Sequence, residues 1–278
     1  MAKAPSSFGT AGRRGGEWSW ASHGAWLIPC LSLFLSLAMW EAAVRYFAVP
    51  VYLLPAPSVI ARKLVVSYPL LLEATMHSVV AIIIGFGVAV LVGIPAATLM
   101  IYSEWFRRSV YPILLTAQVL PKVALAPLFI VWFGFGLLPK VLMTFLISFF
   151  PIVIDSLTGL NSVRPESLML IRSMGGTRWQ SFWKVRLPGA LPSIFGGFKV
   201  AITFAVVGTI VAEFVGSDNG LGYILVLARG NLDTVTVFAA ILWLIVIGFL
   251  FYFAVEMAEW FCIRGRAAGR SQELGAGL

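Results

Sequence analysis

Six polar or prolyl residues interrupt otherwise apolar runs in this sequence, and they are its first candidates for chemistry. Gln118, Pro121 and Lys122 break the run between Ser109 and Phe133, Asp155 and Lys199 lie toward the ends of two later runs, and Glu213 lies near the far end of the second of these. Ionisable groups are costly at membrane depth and normally face a cavity or a partner. Backbone groups freed by a proline at that depth must line a cavity or be buried in protein. These residues are therefore expected to line or gate a polar path. Each also has a plainer reading. Pro121 and Pro127 suit a simple kink packed on a neighbour. Asp155 and Lys199 are either an inner ion pair or two side chains that snorkel separately, and Glu213 is either at the outer mouth or turned to water at the interface.

Other chemistry has less support. Glu73 and His77 have i, i+4 spacing, but the only other histidine is His23, which disfavours a metal site. Glu41 and Arg45 share that spacing, and an ordinary ion pair explains them. Cys30 and Cys262 are far apart without a CxxC, and read as buried, inert thiols. No Ser or Cys sits in a nucleophile motif. No GxxxxGK[ST] phosphate loop is present, so the chain is not expected to hydrolyse ATP alone or to hold a cofactor.

The elements that position these residues follow from composition. Hydrophobic residues make up 60% of the 278 and charged residues 12%, with a mean hydropathy of +0.93. Soluble domains carry roughly 25% charge, so lipid must cover this surface. Helices of about 20 apolar residues cross the hydrocarbon. Six runs qualify, near Trp26–Phe47, His77–Tyr102, Ser109–Phe133, Lys140–Leu160, Ser193–Val215 and Val235–Ile263. The expected fold is all-α and polytopic, with about six transmembrane helices.

Basic residues set the orientation. One side collects Lys3, Arg13, Arg14, Arg107, Arg108, Arg164, Arg172, Arg178, Lys184, Arg186, Arg264, Arg266 and Arg270, against Arg45, Arg62, Lys63, Lys140 and Arg229 on the other. Both termini are thus expected in the cytoplasm. Basic residues spaced between apolar runs also argue against nucleic-acid binding, despite the net charge of +8. The expected organisation is a cytoplasmic tail over 1–24, a first span and outer excursion over 25–72, a transmembrane region over 73–263 with a cytoplasmic loop over 161–191, and a tail over 264–278. In the excursion, Leu54-Pro55-Ala56-Pro57-Ser58 predicts a turning segment with a surface helix after it.

The loop NSVRPESLMLIRSMGGTRWQSFWKVRLPGALP is the most informative segment. Ser162 is placed to cap a short helix, Pro165 suits its first turn, and Glu166 favours its positive end. Gly175-Gly176 predicts a left-handed termination. Thr177 and Gln180 have capping-box spacing for a second helix, with Trp179, Phe182 and Trp183 on one face and Leu187-Pro188 as its stop. So much apolar surface outside the bilayer requires burial, against the chain's own spans or a cytoplasmic partner.

This loop resembles the cytoplasmic signature of binding-protein-dependent ABC importer permeases: Glu-Ala-Ala, three residues, Gly, and a later Leu-Pro. Gly175 and Leu187-Pro188 match it, with Arg172-Ser173-Met174 and Arg178-Trp179-Gln180 in keeping. Met169-Leu170-Ile171 replace Glu-Ala-Ala, which implies a more hydrophobic docking. Leu54-Pro55-Ala56-Pro57-Ser58-Val59, Leu125-Ala126-Pro127-Leu128 to Trp132-Phe133-Gly134, and Gly220-Leu221-Gly222-Tyr223 are similar to the nitrate, sulfonate and taurine group.

The resemblance implies the type I importer permease (MetI-like) fold and a homodimer in the bacterial inner membrane. It also implies an ABC ATPase dimer that carries ATP and Mg, and a periplasmic or lipid-anchored solute-binding protein. The coupling residues it implies are Pro165, Glu166, Met169, Leu170, Ile171, Arg172, Gly175, Gly176, Leu187 and Pro188. Arg172-Ser173-Met174-Gly175 and Gly197-Phe198-Lys199-Val200 lean toward the branch for thiamine-precursor pyrimidines or similar heterocycles, with sulfonate, taurine and nitrate as alternatives. A secondary transporter or channel working without an ATPase is the competing class, and it would need an intramembrane ion relay.

Overall fold

The computed structural model describes residues 27–275, with side chains described over 28–263. The tail at 1–24 and the basic side chains at its two ends lie outside the described residues. Two units emerge, 1–49 and 50–278. The described part of the first is α1 (Leu27–Tyr46), a 20-residue apolar helix that carries the expected Glu41–Arg45 pair at 2.6 Å.

The described residues of the second unit form helices joined by short turns, with no strand among them. Its elements are α2 (Pro57–Val66), α3 (Tyr68–Tyr102), α4 (Glu104–Val119), α5 (Ala126–Phe133), α6 (Leu137–Asn161), α7 (Pro165–Ser173), α8 (Arg178–Ser181), α9 (Leu187–Gly216), α10 (Leu221–Gly230) and α11 (Thr234–Gly275). Five described helices are long and apolar enough to cross a membrane, and a sixth crossing exists if α4 and α5 count together. The expected surface helix is α2, which starts with Pro57 where its missing N–H is harmless. Lys63 on α2 reaches Asp233 at 3.2 Å, which ties it to the start of α11.

Two boundaries move. α3 begins at Tyr68 rather than near His77, since the apolar pattern continues past Glu73 and His77, which stay exposed. α11 runs on to Gly275, so the segment from 264, expected as a tail, is helical through 275. The two thiols also differ from expectation: Cys30 and Cys262 are exposed rather than buried.

The packed centre is α6, with α3 on one side and α9 on the other. Lipid tails are as apolar as leucine, so transmembrane helices associate through close packing of small residues rather than by expelling water. The buried stripe of α3 is of this kind, with Ala74, Ser78, Ala81, Gly85, Ala89, Gly93 and Ala97 at helical spacing. A Cβ on Gly85 would stand 2.5 Å from the Thr144 Cβ, and one on Gly208 would stand 3.1 Å from the Thr144 Cα. Thr144 and Thr209 share a buried hydroxyl hydrogen bond of 2.6 Å where the helices meet.

Candidate functional site

The loop between α6 and α9 is built by local rules. Pro165 opens α7 at its first turn, as expected, but Arg164 is the capping residue. Ser162 instead donates its hydroxyl to the Gly159 carbonyl at 2.8 Å, because it closes α6. Gly175 has φ +76°. The Gly175 N–H reaches the Arg172 carbonyl at 3.0 Å and the Gly176 N–H reaches the Ile171 carbonyl at 2.8 Å, the paired bonds of a Schellman ending. A Cβ on Gly176 would collide with the Ile171 side chain, so the first glycine supplies the dihedral and the second the space. Thr177 and Gln180 then form a complete capping box, with bonds of 2.9 and 3.2 Å.

Leu187-Pro188 does not stop the second short helix. A π turn over Phe182–Arg186 joins α8 to α9, so the helix is continuous from Arg178 to Gly216. The reason is steric. Pro188 has no N–H, and its ring would clash with the carbonyl four residues back in a regular helix. Widening that turn, with the Leu187 N–H bonded to the Phe182 carbonyl, accommodates the ring. The expected aromatic face also divides. Phe182 is buried among Met100, Phe150, Leu157 and Ile194, a burial that contributes about 1.5–3 kcal/mol. Trp179, Trp183, Met169, Leu170 and Met174 remain exposed. The loop is thus anchored by one aromatic and offers an apolar tip.

A second constellation forms at the break in the chain between α4 and α5. The two halves, expected as one interrupted span, meet at 90°. Leu120 has ψ 133°, the extended conformation that a following proline enforces, and a 3₁₀ turn over Lys122–Leu125 makes the corner. Gln118 and Lys122 from this corner, Asp155 from α6 and Phe204 from α9 line one open cavity of about 490 Å³. The Lys122 ammonium lies 4.5 Å from the centre of the Phe150 ring, a cation–π distance. Three polar residues chosen from sequence alone thus share one chamber, while Pro121 makes the corner beside it without lining it.

The remaining two candidates do not join them. Lys199 turns away from Asp155 and pairs with Glu259 at 2.6 Å and Glu256 at 3.8 Å, clipping α9 to α11. Asp155 packs instead against the bare backbone of Gly197, where a Cβ would stand 2.6 Å from its own Cβ. Glu213 neither points to water nor opens on a passage, being 1% exposed. It accepts from Ser78 Oγ at 2.8 and 3.0 Å and from the Gly222 N–H at 2.8 Å, and it lies 3.5 Å from Lys140. Lys140 is itself buried rather than exposed outside the bilayer, and donates to the Asn219 carbonyl and side chain at 3.0 and 2.7 Å. Glu213 needs this company: alone it would have to neutralise or reach water.

A scan of protein families matches the binding-protein-dependent transport system inner membrane component over residues 89–259. The chain belongs to this family. It is 35% identical over 234 residues to the formylaminopyrimidine transport permease protein ThiX of Halalkalibacterium halodurans, covering 84% of the chain and 93% of that protein. It is 33% identical to the riboflavin transport system permease protein RibX of Chloroflexus aurantiacus, with 86% and 90% covered. The taurine transport system permease protein TauC of Escherichia coli is 30% identical, with 84% and 88% covered. Among solved structures, the inward-facing MetNI methionine ABC transporter aligns with a TM-score of 0.62 at 19% identity, covering 70% of the chain and 97% of that chain.

The permease is therefore a multi-pass inner-membrane subunit of an ABC importer, and family membership implies an ATPase and a solute-binding protein as partners. Sequence reasoning missed Ser78, Lys140, Glu256 and Glu259 as partners of the residues it selected. Lys140 carried a signal, since it stands directly against the apolar run of α6. The Glu256–Glu259 spacing puts both carboxylates on one helix face, which points to a single cation. Glu73 and His77 line a separate cleft of about 400 Å³ with Asp218, and no cluster of three metal-binding side chains exists among the described residues.

Proposed function

We propose that the permease forms a homodimeric pathway for a nitrogen heterocycle of the pyrimidine class and couples its passage to a cytoplasmic ATPase through the loop at 162–186. The observation that carries this reading is the loop itself. Its two short helices are locked by a Schellman ending and a capping box, present Met169, Leu170, Met174 and Trp179 to solvent, and continue without interruption into α9. An exposed apolar tip fixed to a spanning helix suits reception of a moving partner. Met169-Leu170-Ile171 make that docking hydrophobic, with Pro165, Glu166 and Arg172 beside it. Both termini face the cytoplasm in this reading, and ATP and Mg belong to the ATPase.

For the solute, the cavity offers a flat apolar wall at Phe204 and hydrogen-bonding groups of both kinds at Gln118, Asp155 and Lys122, the last seated over the Phe150 ring. That set suits a planar ring with donors and acceptors on its edge. The relatives that carry formylaminopyrimidine and riboflavin support the same class. A sulfonate would gain Lys122 but face the Asp155 carboxylate.

Purification of the tagged permease from its native membranes tests the coupling, with mass spectrometry of the proteins that accompany it. The ATPase subunit is expected in stoichiometric amount with the natural sequence and absent after Met169→Asp with Ile171→Asp. Recovery of the permease alone, under mild conditions that keep known ABC complexes intact, would sink the reading in favour of a secondary transporter.

A further inference from the structure

Arg172, Arg178 and Arg186 line one small cleft of about 240 Å³ together with Tyr102, Gly176 and Ser181. None of the three forms an ion pair among the described residues. Arg107 and Arg108 nearby in the fold differ in this respect, since both are held by Glu104 at 2.9 Å. Part of the cleft's charge answers helix ends. α3 closes at Tyr102, α6 at Asn161 and α7 at Ser173, and Arg186 Nη1 donates to the Leu160 carbonyl at 3.4 Å. Each helix C-terminus carries about half a negative charge, so three of them offset only about half of three guanidiniums. The surplus is positive and concentrated.

The level of the cleft identifies what would neutralise it. Tyr102 ends the apolar length of α3, and Leu160 lies in the last turn of α6, so the arginines converge where the spanning helices stop. That is the depth of lipid headgroups. The Arg186 guanidinium stands 5.7 Å from the Tyr102 ring centre, and Trp105 is exposed just beyond it, the ring types that favour this boundary. Guanidiniums present forked donors that match phosphate oxygens.

We propose that this cleft binds the phosphate of an anionic phospholipid headgroup. Bound there, the phosphate links α7 and α8 to the end of α3, so lipid charge bears directly on the position of the loop. Free phosphate offers the same oxygens without the acyl chains that hold a lipid at this depth.

Native mass spectrometry of the full-length permease in mild detergent provides the test, with phosphatidylglycerol, phosphatidylcholine or inorganic phosphate added. Phosphatidylglycerol is expected to be retained over phosphatidylcholine, with about a five-fold loss of retention for each of Arg172→Gln and Arg178→Gln. Arg107→Gln is expected to leave retention unchanged. Melting temperatures of the variants separate loss of binding from loss of fold, which is why Arg186, bonded into α6, is left intact. If phosphatidylglycerol is not retained but inorganic phosphate raises the melting temperature of the natural protein and not of Arg178→Gln, the phosphate site stands and its lipid source is overturned. Equal retention by the natural protein and both arginine variants overturns the site. So does loss of the ATPase subunit from these variants with lipid retention unaltered, which would assign the arginines to a partner's carboxylates.

Discussion

The permease twice sets an acidic and a basic side chain at membrane depth around α6, and the two settings end differently. In the first, Glu213 and Lys140 are sealed, and Ser78, Gly222 and Asn219 take up hydrogen bonds around them. Gly220, at φ +103°, passes so close that a side chain on it would collide with the Glu213 carboxylate. In the second, Asp155 and Lys122 are half-buried on the wall of an open cavity with Gln118, and no ion pair joins them among the described residues. A charge that the protein has fully satisfied has nothing left to offer a solute. One left open to a chamber does.

The largest expected effect breaks the sealed pair. Glu213→Ala strands a buried ammonium, and removing one partner of such a pair costs about 3–5 kcal/mol. Thermal unfolding in detergent should register a severe loss, and a melting temperature unchanged from the natural protein would end the claim that Glu213 is structural. Next comes Gly175→Val, which forces a β-branched residue into the left-handed region at a cost of about 1–2 kcal/mol. It should leave the spans folded but separate ATP hydrolysis from uptake, so normal uptake by a stably inserted variant would remove the loop from the coupling path.

Asp155→Asn and Lys122→Gln sharpen the comparison from the other side. Stability should shift by no more than about 1 kcal/mol, since neither group is sealed in and Lys122 loses only its contact with the Phe150 ring. Uptake should fall, and the relative rates for a pyrimidine and a sulfonate should move in opposite directions for the two variants. Unaltered selectivity in both would count against the cavity as the route.

The smallest effect concerns acid. Burial pushes the Asp233 carboxyl up, but the hydroxyl and N–H of Thr236, together with Lys63, outweigh it and hold it below its ordinary 3.8. A lowered value in the folded state means the stabilisation is present at neutral pH and is lost as pH falls below about 3.8 through the folded value. Asp233→Asn should flatten the decline of melting temperature in that range, and a decline of the same steepness would remove Asp233 as its source.

Legibility followed the range of the interactions. Gly175-Gly176, Thr177 and Gln180 act on neighbours within a few residues, so the left-handed ending and the capping box were both legible in the sequence, and the structure adds the individual bonds. The spans were legible because apolar length is a local property. The corner at Pro121 was legible as a break but not as a right angle, because the packing of α5 on α6 and α9 sets the direction. Partner choice failed where it was a matter of tertiary register. Lys199 was weighed only against Asp155 or the interface, because nothing short of docking α9 on α11 brings Glu259 to it, and Glu213 looked exposed because Lys140 and Ser78 are 73 and 135 positions away. Pro188 misled for a related reason. Its steric rule holds, yet a wider turn satisfied it without ending the helix.

That wider turn has a mechanical consequence. From Arg178 to Gly216 the backbone is one rod of 39 residues, on the order of 58 Å along its axis, with the exposed tryptophans near one end and the sealed carboxylate near the other. A flexible joint between loop and span would dissipate a push within a few ångströms. The helix has no break between loop and span, so sideways force on Trp179 acts as torque along it, felt first at the π turn and then at Pro192.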